Sequence, residues 1–249
     1  MTIAVSVIIT NLMGKETAIL VGNLGYYPIT ILLTAFTAIM VIKFRTKNTY
    51  GIAWIMFLAC AASWMVAEHV WTVDELVLHV KPFPSNADIF YVLGYGFLIL
   101  FVVYYMRMMK KAITKKMVLV SIAISLTVLI PSLFISEFEN SDISGIAFAL
   151  ALAYPVLDAI VLVPALIGIM MFYKGEVSRL WTFFSLAIIS FAAGDTGFLL
   201  TEMNDSYYTG HPLEILLMWS YILFTFGVYS QYRVFSSKKN SFDDKKVLR

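Results

Sequence analysis

Seven stretches of about 20 or more mostly apolar residues run through the chain, each long enough to cross the roughly 30 Å hydrocarbon core of a bilayer as a helix. In hydrocarbon every backbone N–H and C=O must be satisfied within its own segment, or across a closed barrel. Runs of this length call for helices. The stretches read as residues of about 24–43, 51–73, 85–107, 117–135, 144–172, 178–200 and 211–232. The chain is 60% hydrophobic and only 14% charged, with a mean hydropathy of +0.83. That leaves no separate soluble domain of ordinary composition. The expected fold is an all-α, polytopic seven-transmembrane-helix bundle over 24–232. A segment over 1–23 precedes it and a short basic tail over 233–249 follows. MTIAVSVIITNLMGKE lacks the basic start of a signal peptide, and its first part, MTIAVSVII, suits a segment lying along a membrane surface. The tail SSKKNSFDDKKVLR is charged and expected to be unstructured.

Charge sets the expected direction. Of the 18 Lys and Arg residues, all but Lys15 and Lys81 fall in alternate turns or in the tail. Lys43, Arg45 and Lys47 follow the first stretch, and Arg107, Lys110, Lys111, Lys115 and Lys116 follow the third. Lys174 and Arg179 follow the fifth, and the tail holds Arg233, Lys238, Lys239, Lys245, Lys246 and Arg249. The other turns are acidic, with Glu137, Glu139 and Asp142 in one and Glu202 and Asp205 in another. The positive-inside rule then puts the N-terminus outside and the C-terminus in the cytoplasm of a multi-pass cell-membrane protein.

Acids inside the spans need a reason, because a charge in hydrocarbon is expensive. Asp88 has a local one. In PFPSNADIFYVLGY, Ser85 as N-cap makes Asp88 the N3 residue of a capping box. Glu214, two residues after Pro212, suits N3 of the last span. Asp158 has no such reason. It lies about 21 Å along its span at 1.5 Å per residue, between Pro155 and Pro164, either of which can free a carbonyl as its partner. Asp195 sits between Gly194 and Gly197, which allow close helix approach, and Glu68 lies near the outer end of its span. The expected direction brings Glu68, Asp88, Asp195 and Glu214 to the outer half, with Asp158 deeper. A cation, proton or small-ligand site follows, with Asp158 as its deep member, Asp195 and Glu68 beside it, and Asp88 and Glu214 at the rim. His69 and His211 are permissible metal ligands on the same side, although their spacing matches no metal motif. The tyrosines and tryptophans near the span ends, Tyr26, Trp71 and Tyr207 among them, suit an interfacial belt.

Several chemistries find no support. The last span has no lysine to anchor a retinal, so no covalent retinal is expected and the cofactor stays unknown. No phosphate-binding glycine loop and no carbonyl filter occur. Cys60 is the single cysteine, which rules out an internal disulfide. Nucleic acid is not an expected partner.

The series AEHVW, PFPSNADIFYVLGY, YPVLDAIVLV and a late GD resembles a poorly characterised group of multi-span membrane regions of bacteria and archaea. These sometimes precede cyclic-dinucleotide synthase or kinase modules. The likeness spans about residues 50–230 and rests on Glu68, Trp71, Pro84, Ser85, Asp88, Tyr91, Tyr95, Tyr154, Asp158, Asp195 and Glu214. It implies a sensory input region. Here only the short tail follows the last span, so output would pass to a membrane or cytoplasmic protein partner. Two other classes stay open: a structural or assembly subunit of a membrane complex, and a transporter or membrane-embedded metal-dependent hydrolase.

Overall fold

The computed structural model describes the backbone of residues 2–44, 49–138, 145–172 and 178–247, and the side chains of 3–44, 49–134, 145–171 and 179–236. Arg45, Lys47, Glu139, Asp142, Lys174 and Arg249 lie outside the described residues, as do the side chains of Glu137, Lys238, Lys239, Lys245 and Lys246. Among the described residues the regular structure is wholly helical: α1 (Thr2–Met13), α2 (Lys15–Phe44), α3 (Thr49–Leu76), α4 (Asn86–Arg107), α5 (Lys115–Phe138), α6 (Gly145–Phe172), α7 (Ser178–Met203) and α8 (Glu214–Val247). Six of them, α2 to α7, are long and apolar enough to cross a membrane. The seventh expected stretch forms the first part of α8. It is more polar, carrying Ser220, Thr225, Ser230 and Gln231, and α8 is not among the six.

Two boundaries differ from the sequence reading. The first long helix starts at Lys15 rather than near residue 24, because KETAILVGN holds no breaker and Glu16 complements the positive end of the helix. Gly14, at φ +121°, separates it from α1. At the other end, α8 does not stop at the basic tail but continues to Val247, about 51 Å of axis for its 34 residues.

The helices α2, α3, α4, α6, α7 and α8 pack in that order into a closed ring, with α8 returning to α2. Helix α5 lies outside the ring against α6, and α1 docks on α2 and α8. The outward face of α5 is apolar, with Leu119, Ile122, Ile124 and Ile130 exposed, while Ser125 turns inward and donates to the Ala159 carbonyl at 2.7 Å. At one end of the ring Lys43 of α2 meets Ser236 of α8 at 2.5 Å, and Gln231 of α8 donates to Tyr50 of α3 at 2.8 Å. At the other end the backbone of Gly22 in α2 comes close to Thr209 and Gly210 just before α8. A Cβ on Gly22 would lie 2.6 Å from the Gly210 nitrogen, so this approach needs glycine.

The middle of the ring is filled by aromatic rings. Phe57 lies 4.8 Å from Phe184 and 4.9 Å from Phe101 between centroids, and Phe184 lies 5.0 Å from Phe224. Above them Trp64 stacks on Phe191 at 4.9 Å and 13°. The Trp64 indole lies against α4 where Gly94 has no side chain, and its Nε1 donates to the Tyr91 carbonyl at 3.2 Å. Edge and offset contacts of this kind add about 0.5–1.5 kcal/mol per pair beyond area burial.

Candidate functional site

Above the Trp64–Phe191 stack, at the end of the ring away from the basic turns, is a cavity of about 60 Å³. Glu68 of α3, Asp88 of α4, Asp195 of α7 and Glu214 of α8 line it. Each of these acids accepts a hydrogen bond from a tyrosine. Tyr221 donates to Glu68 Oε1 at 2.7 Å, Tyr154 to Asp88 Oδ1 at 2.5 Å and Tyr207 to Glu214 Oε1 at 2.5 Å. Tyr95 reaches Asp195 Oδ2 at 2.8 Å and Asp158 Oδ1 at 2.5 Å.

Asp88 fills both roles open to it. Its Oδ2 accepts from the Ser85 backbone N–H at 2.8 Å, and the Ser85 hydroxyl accepts from the Ala87 N–H at 3.1 Å, closing the capping box. The other carboxylate oxygen is thereby aimed at Tyr154 and the cavity. Glu214 follows a turn in which its own N–H donates to the His211 carbonyl at 2.9 Å. Its Oε1 accepts from Tyr207 on the preceding connection, and the Gly210 backbone lies against the same buried carboxylate. Tyr26 lies close to the same carboxylate.

Asp158 sits in a second layer. It is buried, is not among the residues that line the cavity, and accepts from the Tyr95 hydroxyl rather than donating to a carbonyl freed by Pro155 or Pro164. Asp195 is its carboxylate neighbour, as the sequence suggests. Glu68 instead stands beside Glu214 across the cavity. The Tyr95 hydroxyl has one proton and two acidic neighbours, and each of the two contacts needs a proton of its own. The second comes from one of the carboxyl groups, so Asp158, Tyr95 and Asp195 together hold a shared proton between α6, α4 and α7.

Outside this cavity lies a vestibule of about 360 Å³, with Lys15, Glu75, Lys81 and Glu202 in its wall. Trp71 and Tyr207 border both spaces and stand 6.2 Å apart at 84°. Trp71 Nε1 donates to Thr209 at 3.0 Å, and Thr209 donates to Glu75 Oε2 at 2.5 Å. Glu75 also accepts from Asn23 at 2.8 Å. At the rim Lys81 pairs with Glu202 at 2.6 Å and with Asp205 at 3.5 Å. The Glu202 hydrogen bond is the main reason that the Lys81 ammonium is held above its ordinary range.

The two histidines do not join the acids. His69 Nδ1 donates to the Met65 carbonyl at 2.8 Å and its ring packs on Tyr27 at 4.1 Å, while His211 Nδ1 accepts from the Leu213 N–H at 3.3 Å. Among the described residues no three of His, Cys, Asp and Glu come together as a metal site. Sequence reasoning assigns Tyr26 and Tyr207 to an interfacial belt and passes over Glu75, Thr209 and Tyr221. Two signals for them were present. Glu75 is seven residues after Glu68 and Tyr221 seven after Glu214, so each pair shares a helix face. No family model, curated protein or solved structure matches the chain.

Proposed function

We propose that the chain is a seven-helix protein of the cell membrane, N-terminus outside and C-terminus cytoplasmic. It works as a receptor-like sensory module whose outer cavity takes a small cation or a proton. The observation that carries this reading is the convergence of acids from α3, α4, α6, α7 and α8 on one end of the ring, opposite the end that holds Lys43, Arg107 and Lys115. A structural network alone would not need a water-sized space at its centre, and about 60 Å³ is enough for several waters.

The aromatic fill beneath the cavity favours sensing over transport, because Phe57, Phe101, Phe184 and Phe224 occupy the axis towards the basic end. Helix α8 offers a path for output. It carries Glu214 and Tyr221 at the cavity and runs on to Val247 beyond the basic end. A ligand that draws on Glu214 acts on the same rigid rod that a cytoplasmic partner would hold. The resemblance of PFPSNADIFYVLGY and YPVLDAIVLV to sensory input regions points the same way.

Thermal unfolding of the purified full chain against added cations tests the site. A ligand at 100 times its Kd stabilises the folded state by about 2.7 kcal/mol, and no shift with any cation or with pH would remove the site reading. Labelling tests the direction. Cys60 is buried, so an Asn204→Cys variant on intact cells reports the α7–α8 turn with a membrane-impermeant maleimide. Labelling only after the cells are opened would reverse the orientation.

A further inference from the structure

The vestibule holds two opposite charges that do not neutralise each other. Lys81 and Glu202 in its wall satisfy one another across 2.6 Å. Lys15 and Glu75 line the same space, yet among the described residues neither makes an ion pair. Glu75 is fixed through one oxygen, since Oε2 accepts from both Asn23 and Thr209. Its Oε1 accepts no hydrogen bond among the described residues and is not sealed from solvent. The Lys15 ammonium rests 4.9 Å from the centre of the Tyr208 ring, which lines the vestibule too.

The α2 helix sets the spacing of these charges. Lys15, Ile19 and Asn23 recur every four residues on one face, so Lys15 and Asn23 are about 12 Å apart along the axis. Asn23 is the residue that holds Glu75, so the two charges stand apart rather than side by side. Ile19, Trp71, Phe83 and Tyr207 add apolar wall. The volume of about 360 Å³ lies in the range of small-molecule pockets, and at roughly 30 Å³ each it would hold about a dozen waters. A cation alone would leave Lys15 unmatched, and an anion alone would leave Glu75 unmatched. A ligand with both charges on a carbon spacer meets both with charge-assisted hydrogen bonds and lays its carbon on the rings.

We infer that the vestibule is a second binding site, separate from the acid-lined cavity, for a small zwitterion whose primary ammonium and carboxylate are joined by a short carbon chain. The ammonium donates to Glu75 Oε1, and the carboxylate accepts from Lys15. Thr209 links Glu75 to Trp71, which borders both spaces, so the ligand acts on the residues that divide them. This site does not depend on what the inner cavity takes.

The experiment is titration calorimetry on the full chain, purified in lipid-free detergent, at constant ionic strength. The probes are glycine, 4-aminobutyrate and 6-aminohexanoate, with butylammonium and butyrate as single-charge controls. The two longer amino acids are expected to bind saturably. Glycine, whose charges are too close together, and both controls should bind at least tenfold more weakly. Lys15→Met should abolish the preference over butylammonium, and Glu75→Gln the preference over butyrate. Lys15 is exposed, so its variant tests the site even where Glu75→Gln does not fold. Preferences unchanged in the variants would overturn the assigned contacts. Equal binding of butylammonium and 4-aminobutyrate by the wild type would overturn the zwitterion. No saturable binding of any amino acid would overturn the site for soluble ligands. In that case a saturable response to dihexanoyl phosphatidylethanolamine would give the vestibule to a lipid headgroup, which also carries an ammonium and an anion.

Discussion

Replacing Tyr95 by Phe removes one oxygen and keeps the ring. The Phe would still meet Trp64 and Phe191, whose centroids lie 5.9 and 5.8 Å from that of Tyr95. What disappears is the shared partner of Asp158 and Asp195. A hydrogen bond to a charged group contributes about 1.5–3 kcal/mol and a neutral one about 0.5–1.5. Interhelical polar contacts in membrane proteins have averaged nearer 0.6 kcal/mol, with a maximum of about 1.7. Two contacts, one of them charged, on a tyrosine only 1% exposed therefore set an expected loss of about 2 kcal/mol. At roughly 2–4 °C per kcal/mol for a chain of this length, the melting temperature should fall by about 4–8 °C. The assay is unfolding of wild type, Tyr95→Phe, Asp195→Asn and the double variant, by heat and by titration with an anionic detergent. The cycle should give a coupling energy above about 0.5 kcal/mol, because the two groups touch. A Tyr95→Phe loss below about 0.5 kcal/mol, with losses that simply add, would refute the shared-proton triad.

Two further outcomes follow from local geometry. Gly94→Ala should destabilise by about 1–3 kcal/mol, because its Cβ would lie 2.2 Å from Trp64 Nε1 and that indole is fixed by Phe191 and the Tyr91 carbonyl; Gly96→Ala, with nothing within 4 Å, should show no loss in the same thermal scan. At the rim, Lys81 is held above its ordinary pKa of 10.5, so its pair with Glu202 stabilises fully below that pH and is lost as pH rises through the higher folded value. Its side chain is 61% exposed, which limits the effect to about 1 kcal/mol or less. The Lys81→Met variant should lack that alkaline decline, and an identical decline in both proteins would remove the pair from the account.

The helices were legible because hydrocarbon-length apolar runs have few other fates. The Asp88 cap was legible because a capping box is local, three residues of spacing and two side-chain types. The ends were harder. Nothing in KETAILVGN or in SSKKNSFDDKK breaks a helix, and composition alone suggested a surface segment and a loose tail where helices continue. Asp158 was singled out correctly as the acid without a cap. Its partner was not, because Tyr95 lies 63 residues away and nothing local links them. Of the tyrosines that hold the acids, Tyr207 read as a belt residue and Tyr221 was passed over for the same reason, while Tyr95 and Tyr154 entered only through the resemblance. A phenol near a span end is ordinary at an interface, and only packing distinguishes one that turns inward. Glu75 lies on the same helix face as Glu68, but its partners Asn23 and Thr209 come from α2 and from the connection before α8.

The close backbone approach of Gly22 to Gly210 joins the first long helix to the segment that leads into the last. Synthesis runs from the N-terminus, so α2, α3 and α4 emerge well before this contact has a second half. Glu68 waits for Tyr221 and Glu75 for Thr209, and both arrive only with the final stretch of chain. The acid-lined cavity is thus complete only once α8 has closed the ring against α2.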